Sequence, residues 1–170
     1  MNAISSAPFS QGFPPVINQH THTLILGSFP GIASLEAQQY YAFPANQFWR
    51  LLSAVLNSDL VSLPYPERLQ RLLSAGIGLW DIYRQCEREG SLDSAIRKPE
   101  CNDFVSLRQQ FPQLQRVAFN GKVAARLQKQ FCDWGLMTLT LPSSSPAHAS
   151  WSFAQKLEVW QQLCDAPAAP

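Results

Sequence analysis

Nowhere in this 170-residue chain do apolar residues run on for the roughly 20 positions that a bilayer-spanning helix needs, so a transmembrane helix is excluded. The N-terminus, MNAISSAPFSQGFPP, lacks both the basic segment and the continuous apolar segment of a secretion signal. Residues 1–20 read instead as a loosely ordered lead-in, and residues 166–170 as a frayed tail. Charge is balanced: 13 Lys and Arg stand against 12 Asp and Glu, a net +1. That excludes strong non-specific capture of nucleic acid and leaves room only for a local basic rim. The four cysteines, Cys86, Cys101, Cys132 and Cys164, form no C-x-x-C pair and suit neither a zinc site nor a disulfide framework. They read as reduced thiols of a cytoplasmic protein. There is no internal repeat and no linker, so residues 1–170 are expected to form one domain, 46% hydrophobic and long enough to bury a full core.

What the chain does contain is an alternation. Four short apolar runs, Thr23–Leu26, Ile77–Trp80, Arg116–Phe119 and Met137–Leu141, have the composition of strands buried on both faces. Between them lie helical patterns. Phe48, Leu51, Leu52, Val55 and Leu56 follow the stripe of a core-facing helix. Pro66 opens a second helix through Leu69, Leu72 and Leu73 that Gly76 stops. Asp103 caps a third that ends before Pro112, Lys122–Phe131 makes a fourth, and Ser152 with Gln155 forms a capping box for the last. This order predicts a three-layer α/β/α sandwich around a central, mostly parallel four-stranded sheet with right-handed crossovers.

The segment GSFPGIASLEAQQYYAFPANQFW, from Gly27 to Trp49, reads as a long loop between the first strand and the first helix. Open α/β sheets bind ligands outside the carboxyl ends of their strands, and a loop this long in a compact domain is usually functional. Asp81–Ile96 and Pro142–Ser150 (PSSSPAHAS) also follow strands and should converge on the same edge. Asn120-Gly121-Lys122, at a helix start, offers backbone N–H groups to an anion. No GxSxG elbow surrounds Ser143, Ser144 and Ser145, which argues against a serine nucleophile.

Taken in order, GSFPG…YYAFPANQFW, GIGLWDIYRQCEREGSLDSAI, VAFNGK and LPSSSPAHAS resemble the uracil-DNA glycosylase superfamily, and most closely its hypoxanthine-DNA (deoxyinosine) glycosylase branch. The resemblance runs from about Thr23 to Trp160. It departs from the pattern at Phe29, where many relatives carry an Asp or Asn that positions the attacking water, and at Phe43, where relatives often carry His.

The resemblance implies a monofunctional enzyme that hydrolyses the N-glycosidic bond of deaminated bases in DNA, hypoxanthine first, and leaves an abasic site. It implies Asn46 as the catalytic residue holding the water, although Asn before a helix is also a favoured cap. The base is expected between Tyr41 and Phe29, near Gly27 and Ser28, with Asp81 accepting a hydrogen bond from hypoxanthine N1–H. DNA contacts are expected from Ser143, Ser144, Ser145, His148, Asn120 and Lys122. Each also has a plain reading: Asp81 as a cap, the serines as a turn, His148 as a solvated loop residue, Tyr41 as a core aromatic. No lysine lies in the Gly27–Trp49 loop to form a Schiff base, and no metal or organic cofactor is expected. A monomer is expected on DNA. The alternatives are a mismatch-directed uracil glycosylase, a non-catalytic damaged-DNA-binding protein of the same fold and, distantly, a nucleoside hydrolase.

Overall fold

The computed structural model describes residues 9–167. Its centre is a parallel sheet of β2 (Thr23–Gly27), β3 (Ile77–Asp81), β6 (Arg116–Asn120) and β7 (Met137–Leu141), in the spatial order β3-β2-β6-β7. The first strand in sequence, β1 (Phe9–Gln11), belongs elsewhere, as do β4 (Tyr83–Glu87) and β5 (Arg97–Cys101). The four apolar runs are thus the four parallel strands, and β2 shows why they are apolar throughout. Leu24 and Leu26 point into one core with Phe119 and Phe131, while Ile25 points into the other with Phe48 and Trp160. Side chains alternate across a strand, so a sheet covered on both faces needs apolar residues at every position.

Helices α2 (Phe48–Val55), α3 (Tyr65–Ser74) and α6 (Phe153–Trp160) supply the first core, and α4 (Phe104–Gln110) and α5 (Gln128–Asp133) the second. The helix signals act as expected. The Asp103 carboxylate accepts from the Ser106 N–H, and Ser152 with Gln155 closes a reciprocal capping box. On α2 the predicted stripe Phe48, Leu51, Leu52 and Val55 is the buried face.

Four features differ from expectation. The Gly27–Trp49 segment is not all loop, because α1 (Ile32–Ala37) interrupts it; six residues are too few for a helical period to be read. The helix expected over Lys122–Phe131 is a 3-10 turn at Ala124–Leu127 followed by α5, a change in hydrogen-bond step that composition does not encode. A second, antiparallel sheet, β1-β4-β5, was not expected at all. Finally, within the lead-in, β1 pairs with β4 and Val16 bridges Leu79. Trp80 Nε1 donates to the Phe13 carbonyl (2.9 Å) and the Tyr40 hydroxyl to the Pro14 carbonyl (2.9 Å). Residues 9–20 are therefore part of the fold; residues 1–8 and most of the expected tail, 168–170, lie outside the described residues.

Register sets the site. Gly27 pairs with Asp81 across β2–β3, and Leu26 with Phe119 across β2–β6, so Asn120 ends one position further along. Gly27, Asp81, Asn120 and Leu141 thus lie at one edge, with the β4–β5 hairpin rising beside it.

Candidate active site

A cavity of about 550 Å³ opens at that edge. The Gly27–Ser34 turn and α1 start, the Tyr40–Asn46 segment, Asp81, the hairpin tip at Ser91–Ser94, Asn120 and the Ser143–His148 loop line it. The three loops expected to converge do so.

One wall grows from the parallel sheet. Gly27 carries no Cβ because there is no room for one: a methyl there would meet Asp81 Oδ1 at 2.6 Å and the Tyr41 hydroxyl at 2.8 Å. Tyr41 adopts φ +55°, a left-handed conformation uncommon for a bulky residue and costing on the order of 1–3 kcal/mol. Its ring stacks on Phe48 with centroids 3.7 Å apart, which fixes one face and leaves the remainder as cavity wall. The Tyr41 hydroxyl accepts from Asn120 Nδ2 (3.2 Å).

Asn120 does not face outward as an anion site. Its Nδ2 also donates to Ser144 Oγ (2.9 Å), and its Oδ1 accepts from the Ser144 N–H (2.9 Å). The Ser144 carbonyl in turn accepts from Gln47 N–H (2.9 Å). Asn120 and the fully buried Ser144 are therefore a clasp joining β6, the loop after β7 and the segment carrying Asn46. Their side chains hydrogen-bond one another and Tyr41, while both residues still line the cavity. Gly121, at φ +98°, supplies the turn that lets Ser143 pack beside it.

Asn46 lies on the cavity wall, one residue before the helix-capping position occupied by Gln47. Its Oδ1 accepts from the Phe48 N–H (3.0 Å), so its orientation is fixed by the start of α2, with the rest of the amide available to a ligand or water. Asn46 is therefore not the cap of α2, but its side chain is tied to the helix start through the Phe48 N–H. Phe29 lines the cavity but is only 7% exposed, packed in the second core with the Arg88 guanidinium 5.3 Å above its ring. Lys122 is exposed and lies outside the cavity lining, whereas Ser143, Ser145 and His148 line it. His148 sits against the exposed Trp151 ring, with centroids 6.2 Å apart.

The other wall is the hairpin tip, and sequence reasoning missed it within the broad segment it had marked. Ser28 Oγ donates to Asp93 Oδ1 (2.6 Å), and Ser91 Oγ accepts from the Ile32 N–H (2.9 Å), capping α1 from a different element. Arg88, buried as β4 ends, donates to the carbonyls of Pro30 and Gly90. Leu92 at the tip is 58% exposed beside the cavity. Lys156, 1% exposed on α6, was also missed; its ammonium lies 3.5 Å from the Ser145 carbonyl beneath the serine loop.

Asp81 is the electrostatic outlier. Burial, and then repulsion from Asp93, push its carboxyl up to about 7 against a smaller opposing pull from Arg88. Tyr40 and Tyr41 are held well above the usual phenol range, by burial first and by Asp81 second, so both stay neutral. Among the described residues no group of three or more His, Cys, Asp or Glu side chains could hold a metal ion.

A doubly covered parallel sheet with a polar, aromatic-walled cavity at its carboxyl edge defines an α/β protein with a ligand-sized site at the usual place for that architecture. The chain matches the Uracil DNA glycosylase superfamily over residues 14–164 and belongs to it. It is 44% identical over 138 residues to a Hypoxanthine DNA glycosylase of Methanosarcina barkeri, covering 81% of this chain and 87% of the relative. It is 40% identical to a Hypoxanthine DNA glycosylase of Methanosarcina acetivorans, covering 90% and 96%. A solution NMR structure of a proposed uracil DNA glycosylase from Methanosarcina acetivorans superposes with a TM-score of 0.82 at 38% identity, covering 92% of this chain and 99% of that one.

Proposed function

We propose that this chain is a DNA-repair glycosylase that hydrolyses the N-glycosidic bond of deaminated nucleotides, deoxyinosine first, and leaves an abasic site. The observation that carries the reading is Asn46: the F-P-x-N-x-F-W segment brings its side chain to the cavity wall and the α2 start fixes its orientation. Two relatives that this chain matches over most of their length are named for hypoxanthine, which favours that base.

A glycosidic bond inside a duplex is out of reach, so the nucleotide leaves the stack first; a poorly paired base such as hypoxanthine opposite thymine makes that cheaper. The base enters against Tyr41, whose back is held by Phe48, an arrangement in which base–aromatic stacking contributes ~1–3 kcal/mol. Phe29 supports the floor from the core side. Ser143, Ser145 and His148 brace the DNA beside the vacated position, with Lys122 on the nearby surface available to a phosphate. As the sugar becomes oxocarbenium-like, charge moves to the base. Backbone N–H groups of the Gly27–Gly31 turn are donors for it, each worth a few kcal/mol when preorganised. Asn46 holds the water that captures the sugar. Among the described residues no lysine lines the cavity, which supports hydrolysis without a Schiff base and without strand scission.

The reading also makes the protein a monomer working in the cytoplasm, without a cofactor. All four cysteines are free, consistent with a reducing compartment, and no helix among the described residues is long and apolar enough to cross a membrane. Light scattering of the free protein and of its DNA complex checks the monomer. Base release from labelled duplexes containing deoxyinosine, deoxyuridine or deoxyxanthosine, developed by alkaline cleavage, tests the substrate. Release from deoxyinosine well above deoxyuridine supports the reading. Release from deoxyuridine alone overturns the substrate in favour of a uracil glycosylase, and tight binding to inosine DNA without release points to a damage-binding protein.

A further inference from the structure

Asp81 ends β3 on the cavity wall, 5% exposed, and its Oδ2 has no hydrogen-bond partner. The ionisable groups facing it are Asp93 from the hairpin tip, Arg88 from the end of β4, and the phenols Tyr40 and Tyr41. None of these neutralises it by contact: Asp81 forms no ion pair among the described residues, and Arg88 spends donors on the Pro30 and Gly90 carbonyls. A buried carboxylate without a cation and with a second carboxylate nearby is unfavourable, so the neutral acid is the preferred form. Its preference extends to a pH of about 7. A neutral carboxyl carries an O–H that needs an acceptor, and the protein offers none to Oδ2. Asp81 lines the cavity, so a ligand there can supply an acceptor to the carboxyl.

Hypoxanthine has acceptors there, O6 and the ring nitrogens N3 and N7, besides the N1–H donor. Resting on the deoxyinosine reading, we propose that Asp81 is the general acid of base release and protonates a ring nitrogen of the departing purine. As the C1′–N9 bond breaks, its electron pair stays on N9 while the Asp81 proton passes to N3 or N7. The base departs as a neutral tautomer and Asp81 is left as a carboxylate. The water held by Asn46 adds its oxygen to C1′ and gives up one proton to solvent, from which Asp81 is reprotonated. A purine, with a basic ring nitrogen beside the breaking bond system, gains from this proton in a way that uracil does not. The role is opposite in sign to accepting from N1–H, which the ionised form does more strongly.

The sign makes the test decisive. Single-turnover release from deoxyinosine duplexes is measured across the neutral range for wild type, Asp81→Asn and Asp93→Asn, with binding to the same duplex as a folding control. The wild-type rate falls as pH rises through about 7. Asp81→Asn keeps the shape, loses about 10²-fold or more below that pH and shows no such fall. Asp93→Asn moves the midpoint to lower pH, because it removes the charge that opposes ionisation, a shift that a purely structural role would not produce. Duplexes with 7-deaza- or 3-deaza-deoxyinosine identify the nitrogen: the wild-type advantage over Asp81→Asn collapses for one of them. A rate that rises with pH and loses this rise in Asp81→Asn overturns the proposal in favour of a carboxylate acceptor. An unchanged fall in Asp81→Asn, or an advantage that survives both deaza bases, also overturns it. Wild type that releases no hypoxanthine at any pH refutes the deoxyinosine reading itself, a result separable from all of these.

Discussion

The two walls of the cavity are built on different physics. The sheet wall, made of Gly27, Tyr41, Asn120 and Ser144, hangs from buried parallel strands and is closed by a side-chain clasp with all its partners inside the protein. The hairpin wall, Ser91–Ser94, is exposed and rests on a few bonds: Ser28–Asp93, Ile32–Ser91, and Arg88 to two carbonyls. A rigid wall beside a lightly held one suits a site that must admit an extruded nucleotide and then close on it. Asp81 stands where the two meet, buried by one wall and charged against by the other.

That contrast can be broken from either side. Gly27→Ala strikes the sheet wall, where the new methyl would meet Asp81 Oδ1 at 2.6 Å and the Tyr41 hydroxyl at 2.8 Å. Overpacking of this kind costs about 1–3 kcal/mol of stability and should lower base release on the order of 10²-fold, read by denaturant midpoint and single-turnover rate. Arg88→Met removes the main fastening of the hairpin but adds no clash. Base release should fall about tenfold, chiefly through weaker binding of inosine DNA, with proteolysis rising between residues 88 and 96. Ser91→Ala leaves the first N–H of α1 without its acceptor and should cost ~1 kcal/mol, with a two- to threefold loss in affinity by fluorescence anisotropy. Smallest is Lys122→Ala, on neither wall. It should weaken DNA binding a few-fold whatever the base, and lower the slope of log affinity against log salt by about one.

The same contrast explains what the sequence disclosed. The sheet wall was legible because strands buried on both faces must be apolar throughout, as Leu24, Ile25 and Leu26 are, and because a loop after such a strand has a known place. The hairpin wall was not. Its strands read YRQCE and RKPEC, and β5 is exposed along its whole length, so no burial pattern marks it. Nor could helix α1 be read from six residues, with its cap supplied by Ser91, 59 residues away. Asn120 and Ser144 stand at the expected edge, but their bond to each other could not be read, since it joins residues that only the fold brings near. Asp81 was expected as a hydrogen-bond acceptor; the upward shift of its pKa depends on burial and on Asp93, neither visible in the order of residues.

The central claim is that Asn46, fixed by the α2 start, drives hydrolysis in this cavity. Single-turnover release from a deoxyinosine duplex, wild type beside Asn46→Ala, tests it most directly, with thermal unfolding measured on the same samples. Asn46→Ala should lose about 10²-fold or more in rate while unfolding shows only the ~1 kcal/mol of a lost hydrogen bond to the Phe48 N–H. A folded Asn46→Ala that releases hypoxanthine as fast as wild type would contradict the claim and leave Asn46 only a partner of the Phe48 N–H at the α2 start.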